Sequence, residues 1–231
     1  MQSTVNSQPQ DDVARPAGDV PQPSLSEQAY AEIRDRLVML DIRPAASINE
    51  QQLSHELGLG RTPVREALKR LELERLVATF PRRGTFATDV HITDLAHLSE
   101  VRVLLEPVAA AHAAERARPA ERASFVAQAD ALAALDTETA PSRDLIRTDL
   151  GIHRAIYEAA RNPLLRDTLV RYDNLATRIW CLVLDRIPVV ASHVQEHVPL
   201  LRAIAAGDAD RAAELAREHV EGFEREVRSV L

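Results

Sequence analysis

The chain has 231 residues, 45% of them apolar, and a formal net charge of −7, which is enough for a real core and too apolar for global disorder. Aromatics and glycines are scarce beside Ala, Leu and Arg, a mixture that favours helix over sheet. The acidic balance argues against blanket coating of nucleic acid, no apolar run approaches the ~20 residues of a membrane span, and a single cysteine, Cys181, excludes an internal disulfide framework and suits a reducing cytoplasm.

Residues 1–24 are rich in Pro, Gln, Ser and Asp, with neither the basic start nor the apolar stretch of a secretory signal, and are expected to form a disordered arm. From Leu25 the pattern becomes helical: Tyr30, Ile33, Leu37 and Leu40 share a face, and the chain breaks at Arg43-Pro44. A short helix is predicted over Asn49 to Leu57, stopped by Gly58. A second starts at Thr62 as N-cap with Pro63 as its first residue and Val64, Ala67, Leu68 and Leu71 as its apolar face. After Leu76 the period shifts toward two, and LVATFPRRGTFATDV reads as two short strands around Pro81-Arg82-Arg83-Gly84. Thr93-Asp94 then caps a new helix. Breaks near Arg118-Pro119, Thr139-Ala140-Pro141, Asn162-Pro163, Ile187-Pro188 and Ala206-Gly207-Asp208 divide the remainder into about six helices. The expected fold is mainly α: a winged helix-turn-helix with a small β-hairpin over residues 25–90, then an all-helical bundle over 91–231.

The stretch GRTPVREALKRLE places Arg61, Arg65 and Lys69 at intervals of four, and between Arg61 and Arg83 seven basic residues face three acids. Free amides and the positive end of the dipole at the start of such a helix attract phosphate, and an arginine fork matches guanine O6 and N7. A hairpin tip with Gly84 permits close approach to a minor groove. Taken alone, the stripe also reads as a solvated face paired with Glu66, Glu72 and Glu74. The coincidence of turn, cap, stripe and basic wing favours DNA.

INEQQLSHELGLGRTPVREALKRLELERLV followed by PRRGTF resembles the winged helix-turn-helix of GntR-type bacterial transcription regulators, and the resemblance runs from about Leu25 to Val90. It implies operator contacts by Arg61, Thr62, Arg65, Arg83 and Gly84. The position of Gln51 is often Arg in relatives; Gln51 retains the capacity to hydrogen-bond a phosphate or an adenine.

In DLGIHRAIYEAARNPLL, Asp149 and His153 are four apart on a face shared with Leu145, Ile152, Ile156 and Ala160, so both polar groups point inward and require partners. His197 lies ten residues before Gly207 and His219 twelve after it, so a fold-back at Ala206-Gly207-Asp208 sets them at one height on antiparallel helices. Leu200, Leu201 and Ile204 on one arm and Ala212, Leu215 and Ala216 on the other would face a common core. Spacing leaves two readings open: a helix pair with ordinary polar histidines, or four ligands for a divalent ion such as Zn²⁺, with Ni²⁺ or Mn²⁺ suited to the mixed N/O set. His55, His91, His97 and His112 show no such coincidence. Trp180 and Cys181 read as core packing.

The region from Asp94 onward resembles the FCD effector-binding domain of the FadR group of GntR regulators, through VRVLLEPVAAAHAA, the D-x-x-x-H helix with its NPLL exit, and EHVPLLRAIAAGDADRAAELAREH. The resemblance implies metal ligation by Asp149, His153, His197 and His219. The helix count sits closer to the shorter VanR-like branch than to acyl-CoA-binding members, which implies a small organic acid as effector. Arg102 is a candidate for its carboxylate, or else an i,i+4 partner of Glu106; Asn174 and Arg178 are further candidates to line the pocket. The expected protein is a cytoplasmic, homodimeric, metabolite-responsive repressor that binds double-stranded operator DNA and touches no membrane. The rivals are a metal-dependent enzyme, for which no general base is evident, and a direct metal sensor.

Overall fold

The computed structural model describes residues 22–136, 140–184 and 190–230; the expected arm, and the breaks at Thr139 and Ile187-Pro188, lie outside them in whole or in part. Helix α1 (Leu25–Val38) starts at a capping box, in which the Ser24 hydroxyl accepts from the Glu27 amide and the Glu27 carboxylate accepts from the Ser24 amide. It buries Ala29, Tyr30, Ile33 and Leu37. It ends before Leu40, which adopts a left-handed φ of 58° instead of continuing the face. Asn49 caps α2 (Glu50–Leu57) by accepting from the amides of Gln51 and Gln52, and Gly58, in the left-handed conformation, closes it. Helix α3 (Arg61–Leu73) starts two residues earlier than expected. Gly60 is its N-cap, which puts Thr62 in the first turn and Pro63 where a helix needs no amide donor. Its face of Val64, Ala67, Leu68 and Leu71 is buried and packs on α1.

Strands β2 (Val77–Phe80) and β3 (Gly84–Ala87) form the expected hairpin, joined by Pro81-Arg82-Arg83. A third strand, β1 (Ser47–Ile48), pairs antiparallel with β3 and gives the order β1-β3-β2. Two residues are too few to carry a period, which is why the pattern does not announce it.

The helical part comprises α4 (Asp94–Arg116), α5 (Pro119–Ala133), α6 (Ser142–Ala159), α7 (Pro163–Val183), α8 (Val190–Gln195), α9 (His197–Ala206) and α10 (Ala209–Ser229). Among the described residues that is seven helices, because the segment before Gly207 is interrupted at Glu196. Pro199 lies three residues beyond; it has no amide to donate to the Gln195 carbonyl, so the helix restarts there. Thr93 precedes α4 as expected, though its side chain makes no capping bond. Pro107 lies inside α4 and leaves the Val103 carbonyl without its helical donor, and the Arg217 guanidinium on α10 donates to that oxygen at 3.3 Å. Gly207 (φ 81°) ends α9 and turns the chain back into α10. Arg122 packs against this turn and donates to four carbonyls: Ala114 (2.5 Å) and Ala117 (3.0 Å) on the α4 end, Ile204 (3.2 Å) and Ala205 (3.0 Å) on the α9 end.

Helix α4 is the centre of the bundle, packed against α6, α7, α9 and α10. Helices α6 and α7 also meet the DNA-side module. Arg143 and Arg154 on α6 pair with Asp41 (2.6 Å) and Asp35 (3.6 Å), and α7 lies against α1. Among the described residues no helix is long and apolar enough to cross a membrane.

Candidate functional site

On the DNA-side module, the first turn of α3 makes no side-chain capping bond, so the amides of Arg61 and Thr62 remain available to an anion. Arg61, Thr62, Arg65 and Lys69 are exposed along one edge of the helix. The acids do not pair as the solvated-face reading supposes. Glu66 accepts from Ser26 and Glu72 from the Thr79 amide, while Arg65 reaches Glu50 of α2 at 3.1 Å. Only Arg70 pairs with Glu74 among those acids, lying also over the Tyr30 ring at 3.6 Å. Arg61, Lys69, Arg82 and Arg83 have no ion pair among the described residues. Gln51 is exposed at the start of α2, next in sequence to the Glu50 that holds Arg65. In the wing, Gly84 has φ 91° with open space where a Cβ would stand, so the requirement for glycine is conformational. Arg82 beside it also takes a left-handed φ of 63°, which turns the exposed Arg82-Arg83 tip outward.

In the bundle, Asp149 and His153 on α6, His197 on α9 and His219 on α10 come together, each offering one ligand-type atom within 4.8 Å of those of the others, all buried. The fold-back at Gly207 brings His197 and His219 to a ring separation of 4.2 Å. His153 Nε2 lies 3.2 Å from His219 Nε2 and 3.3 Å from His197 Nε2. The outward nitrogens are each engaged. His197 Nδ1 is 3.1 Å from the Val194 carbonyl, His219 Nδ1 is 2.9 Å from Glu196, and His153 Nδ1 is 3.3 Å from Glu106 and 3.1 Å from the Tyr157 hydroxyl. A carbonyl and a carboxylate can only accept, so they place the proton of His197 and of His219 on Nδ1 and turn both Nε2 lone pairs inward.

Burial holds His219 well below the usual histidine range, helped by His193 and His197, and takes His197 down to about 3 against the pull of Asp149. Burial opposes a charge on His153 too, but Glu106, Asp149 and Asp173 outweigh it and raise the ring to about 9. A single proton on His153 Nε2 can serve only one of the two facing lone pairs, and Asp149 Oδ1 is buried with no hydrogen-bond partner. Three convergent imidazole nitrogens and an orphaned carboxylate oxygen match the donor set of a borderline divalent cation, and the acceptors behind each ring match the carboxylate–histidine pairs that orient such ligands.

Arg102 is 5% exposed and bound on both sides, to Glu106 at 2.5 Å and to Asp173 at 3.5 Å. Burial alone would favour neutral Glu106, but Arg102 and then His153 overcome it and hold the carboxyl at about 2. Arg102 therefore stands one carboxylate behind His153. Asn174 is fully buried and accepts from Arg154 at 3.3 Å, with its Nδ2 unpaired. Arg178 faces the DNA-side module instead, donating to the Thr88 hydroxyl (2.6 Å) and carbonyl (2.7 Å) where β3 leads into the linker. Trp180 is core, as expected, against Phe223 and His193.

The sequence pairs Glu106 only with Arg102 and gives Glu196 no role behind a ligand, and it does not single out Tyr157 or His193. His193 stacks on His219 at 4.1 Å and lies 3.3 Å from Glu196. Its spacing of four from His197 was the available signal.

A winged helix-turn-helix with an exposed basic edge, joined to a helical bundle that buries an Asp/His cluster, defines a bacterial DNA-binding regulator. The chain belongs to the GntR family: residues 25–87 match the gntR family of bacterial regulatory proteins and residues 97–222 the FCD domain. Among relatives, it is 26% identical over 202 residues to the HTH-type transcriptional repressor GlaR of Escherichia coli, covering 84% of this chain and 92% of that one. It is 21% identical over 210 residues to the repressor RspR of the same species, covering 91% and 92%. Its fold is that of E. coli McbR/YncC, with a TM-score of 0.77 and 22% identity over 90% of this chain and 99% of that one. A putative GntR regulator from a Rhodococcus species aligns with a TM-score of 0.65 and 22% identity, over 89% and 98%. The chain is accordingly a transcription regulator with a DNA-binding helix-turn-helix, of a family of regulators and not of enzymes.

Proposed function

We propose that the protein is a homodimeric, metabolite-responsive repressor that senses a small organic acid at a divalent metal ion, most simply Zn²⁺, held by Asp149, His153, His197 and His219. Residues 25–90 act as the operator-binding module and 91–231 as the effector-binding and dimerisation domain. The observation that carries the metal reading is the convergence of three imidazole Nε2 atoms beside an unpartnered carboxylate oxygen. A divalent cation there would supply a Lewis-acidic centre for a carboxylate or hydroxyl oxygen. Arg102 is the cation we assign to the acid's second oxygen, in exchange with Glu106 and Asp173.

On the DNA side, Arg61, Thr62 and Arg65 enter the major groove, Gln51 contacts the backbone, and Arg83 and Gly84 follow the minor groove. Two copies are needed because paired recognition helices read half-sites about 34 Å apart. Leu104 and Val108, exposed one turn apart on α4, are apolar candidates for the contact between copies. Effector binding shifts the placement of the two DNA modules by differential affinity for two arrangements.

Native mass spectrometry with elemental analysis reads metal and carried ligand together. Operator binding is then titrated with metal and with acids separately. One equivalent of metal, and an acid that changes operator affinity only in metal-loaded protein, is the expected result. Response to metal without any acid would make the ion itself the signal, and purified protein free of metal that still responds to acids would remove the cluster from the mechanism.

A further inference from the structure

A cavity of about 600 Å³ lies between the DNA-side module and the bundle, walled by the exit of β3, the linker, the start of α4 and the middle of α7. None of the four ligands of the Asp/His cluster lines it. Its volume falls within the range of small-molecule sites. Leu98, Val101, Leu175 and Ile179 give it an apolar side.

The polar side is cationic and under-satisfied. Arg171 and Arg178, seven residues and so about 10 Å apart on α7, both line the cavity. Each has a buried Nε with no hydrogen-bond partner. Arg178 is 1% exposed and among the described residues forms no ion pair; its other nitrogens are tied to Thr88. Arg171 has no ion pair or hydrogen-bond partner at all among them. Burial takes Arg178 down to about 10, with Asp89 and then Cys181 opposing, so it remains a charged and poorly compensated group at neutral pH. Arg75 adds a third guanidinium, against the carboxylates of Asp89 and Asp94. Three arginines against two aspartates give the lining a surplus of one positive charge, which suits a single negative charge better than a phosphate dianion.

We propose that this interdomain cavity binds a monocarboxylate with an apolar body, held by Arg171 and Arg178, as a second ligand site separate from the Asp/His cluster. The arginine fork pairs with the carboxylate in two parallel hydrogen bonds, and the α4–α7 wall takes the hydrocarbon or ring. Since Arg178 also grips Thr88, the ligand sits directly on the junction of DNA module and linker.

The test is isothermal titration of the full chain, treated with chelator, with hexanoate and benzoate as probes and hexanamide and benzamide as neutral controls. Saturable binding of at least one acid, absent for its amide, is expected in the wild type and in His197→Ala alike. Arg171→Gln, which removes no existing bond and so spares the fold, should weaken it at least tenfold, as should Arg178→Gln. No saturable binding of either acid at millimolar concentration, equal binding of the amides, undiminished binding by Arg171→Gln, or loss of binding in His197→Ala would each overturn the site. The last of these would place the acid at the metal-free cluster, whereas the metal reading is tested by operator titration of the metal-loaded protein, so the two proposals fail separately.

Discussion

In the free protein Arg65 is held by Glu50 at 3.1 Å, with side chains 61% and 34% exposed, and to reach a base edge it must leave that carboxylate. An exposed pair of this kind stabilises by about 0.2–1 kcal/mol, whereas a bidentate arginine–guanine contact contributes about 1–3 kcal/mol. DNA therefore wins the guanidinium, at a discount set by Glu50. Removing the discount by Glu50→Gln should tighten operator binding by up to about 1 kcal/mol, roughly fivefold. Arg65→Ala should lose about 1–2 kcal/mol net, roughly five- to thirtyfold. In the Arg65→Ala background Glu50→Gln should add almost nothing, since the pair it relieves is gone. Fluorescence anisotropy on operator and random duplexes across a salt series measures all four proteins. If Arg65 reads a base, its loss falls on the operator and spares random duplex; if it holds a phosphate, both weaken and the salt slope falls by about one. Unchanged affinity of Arg65→Ala at every salt concentration, or weaker binding by Glu50→Gln, would refute the exchange.

Metal removal should lower the melting temperature. An ion at a hundredfold excess over its Kd stabilises by about 2.7 kcal/mol, or about 5–10 °C for a chain of this size, and differential scanning calorimetry of His197→Ala should show no such dependence. Arg122→Ala leaves four carbonyls without their donor at the α4 and α9 ends and should cost about 3 kcal/mol in urea unfolding. Gly207→Ala should cost about 1–2 kcal/mol, because it forces a left-handed φ on an L residue and sets its Cβ 3.0 Å from Arg122. A neutral result for either would show that the turn between α9 and α10 adapts more than these contacts imply.

Local chemistry carried most of what the sequence disclosed. The α3 face, the wing glycine and the Asp149–His153 pair depend on spacing within one element, and the approach of His197 to His219 on one turn of known position. What stayed hidden requires knowing which helices adjoin. Glu106 reaches His153 from another helix forty-seven residues away in sequence, and Glu196 reaches His219 across the α9–α10 turn. Which neighbour each residue of α7 meets was equally hidden, because a helix of six turns faces different elements along its length. Asp173 meets the Arg102 layer, while Arg178, further along, meets Thr88. The cap falls two residues before Thr62 because glycine caps nearly as well as threonine and Pro63 is tolerated anywhere in the first turn.

Helix α6 carries Asp149 and His153 on its inner side and, on either side of them in sequence, Arg143 and Arg154, whose partners Asp41 and Asp35 belong to α1 and its exit. One rod thus supplies two side chains to the cluster and two struts, about 16 Å apart along its axis, to the DNA-binding half. Whatever restrains its tilt from one side is felt at the other. Linkage then demands symmetry: if occupancy of the cluster changes operator affinity through this rod, operator must change affinity at the cluster by the same factor. Charge reversals at Asp35 and Asp41, far from any histidine, would retune both together.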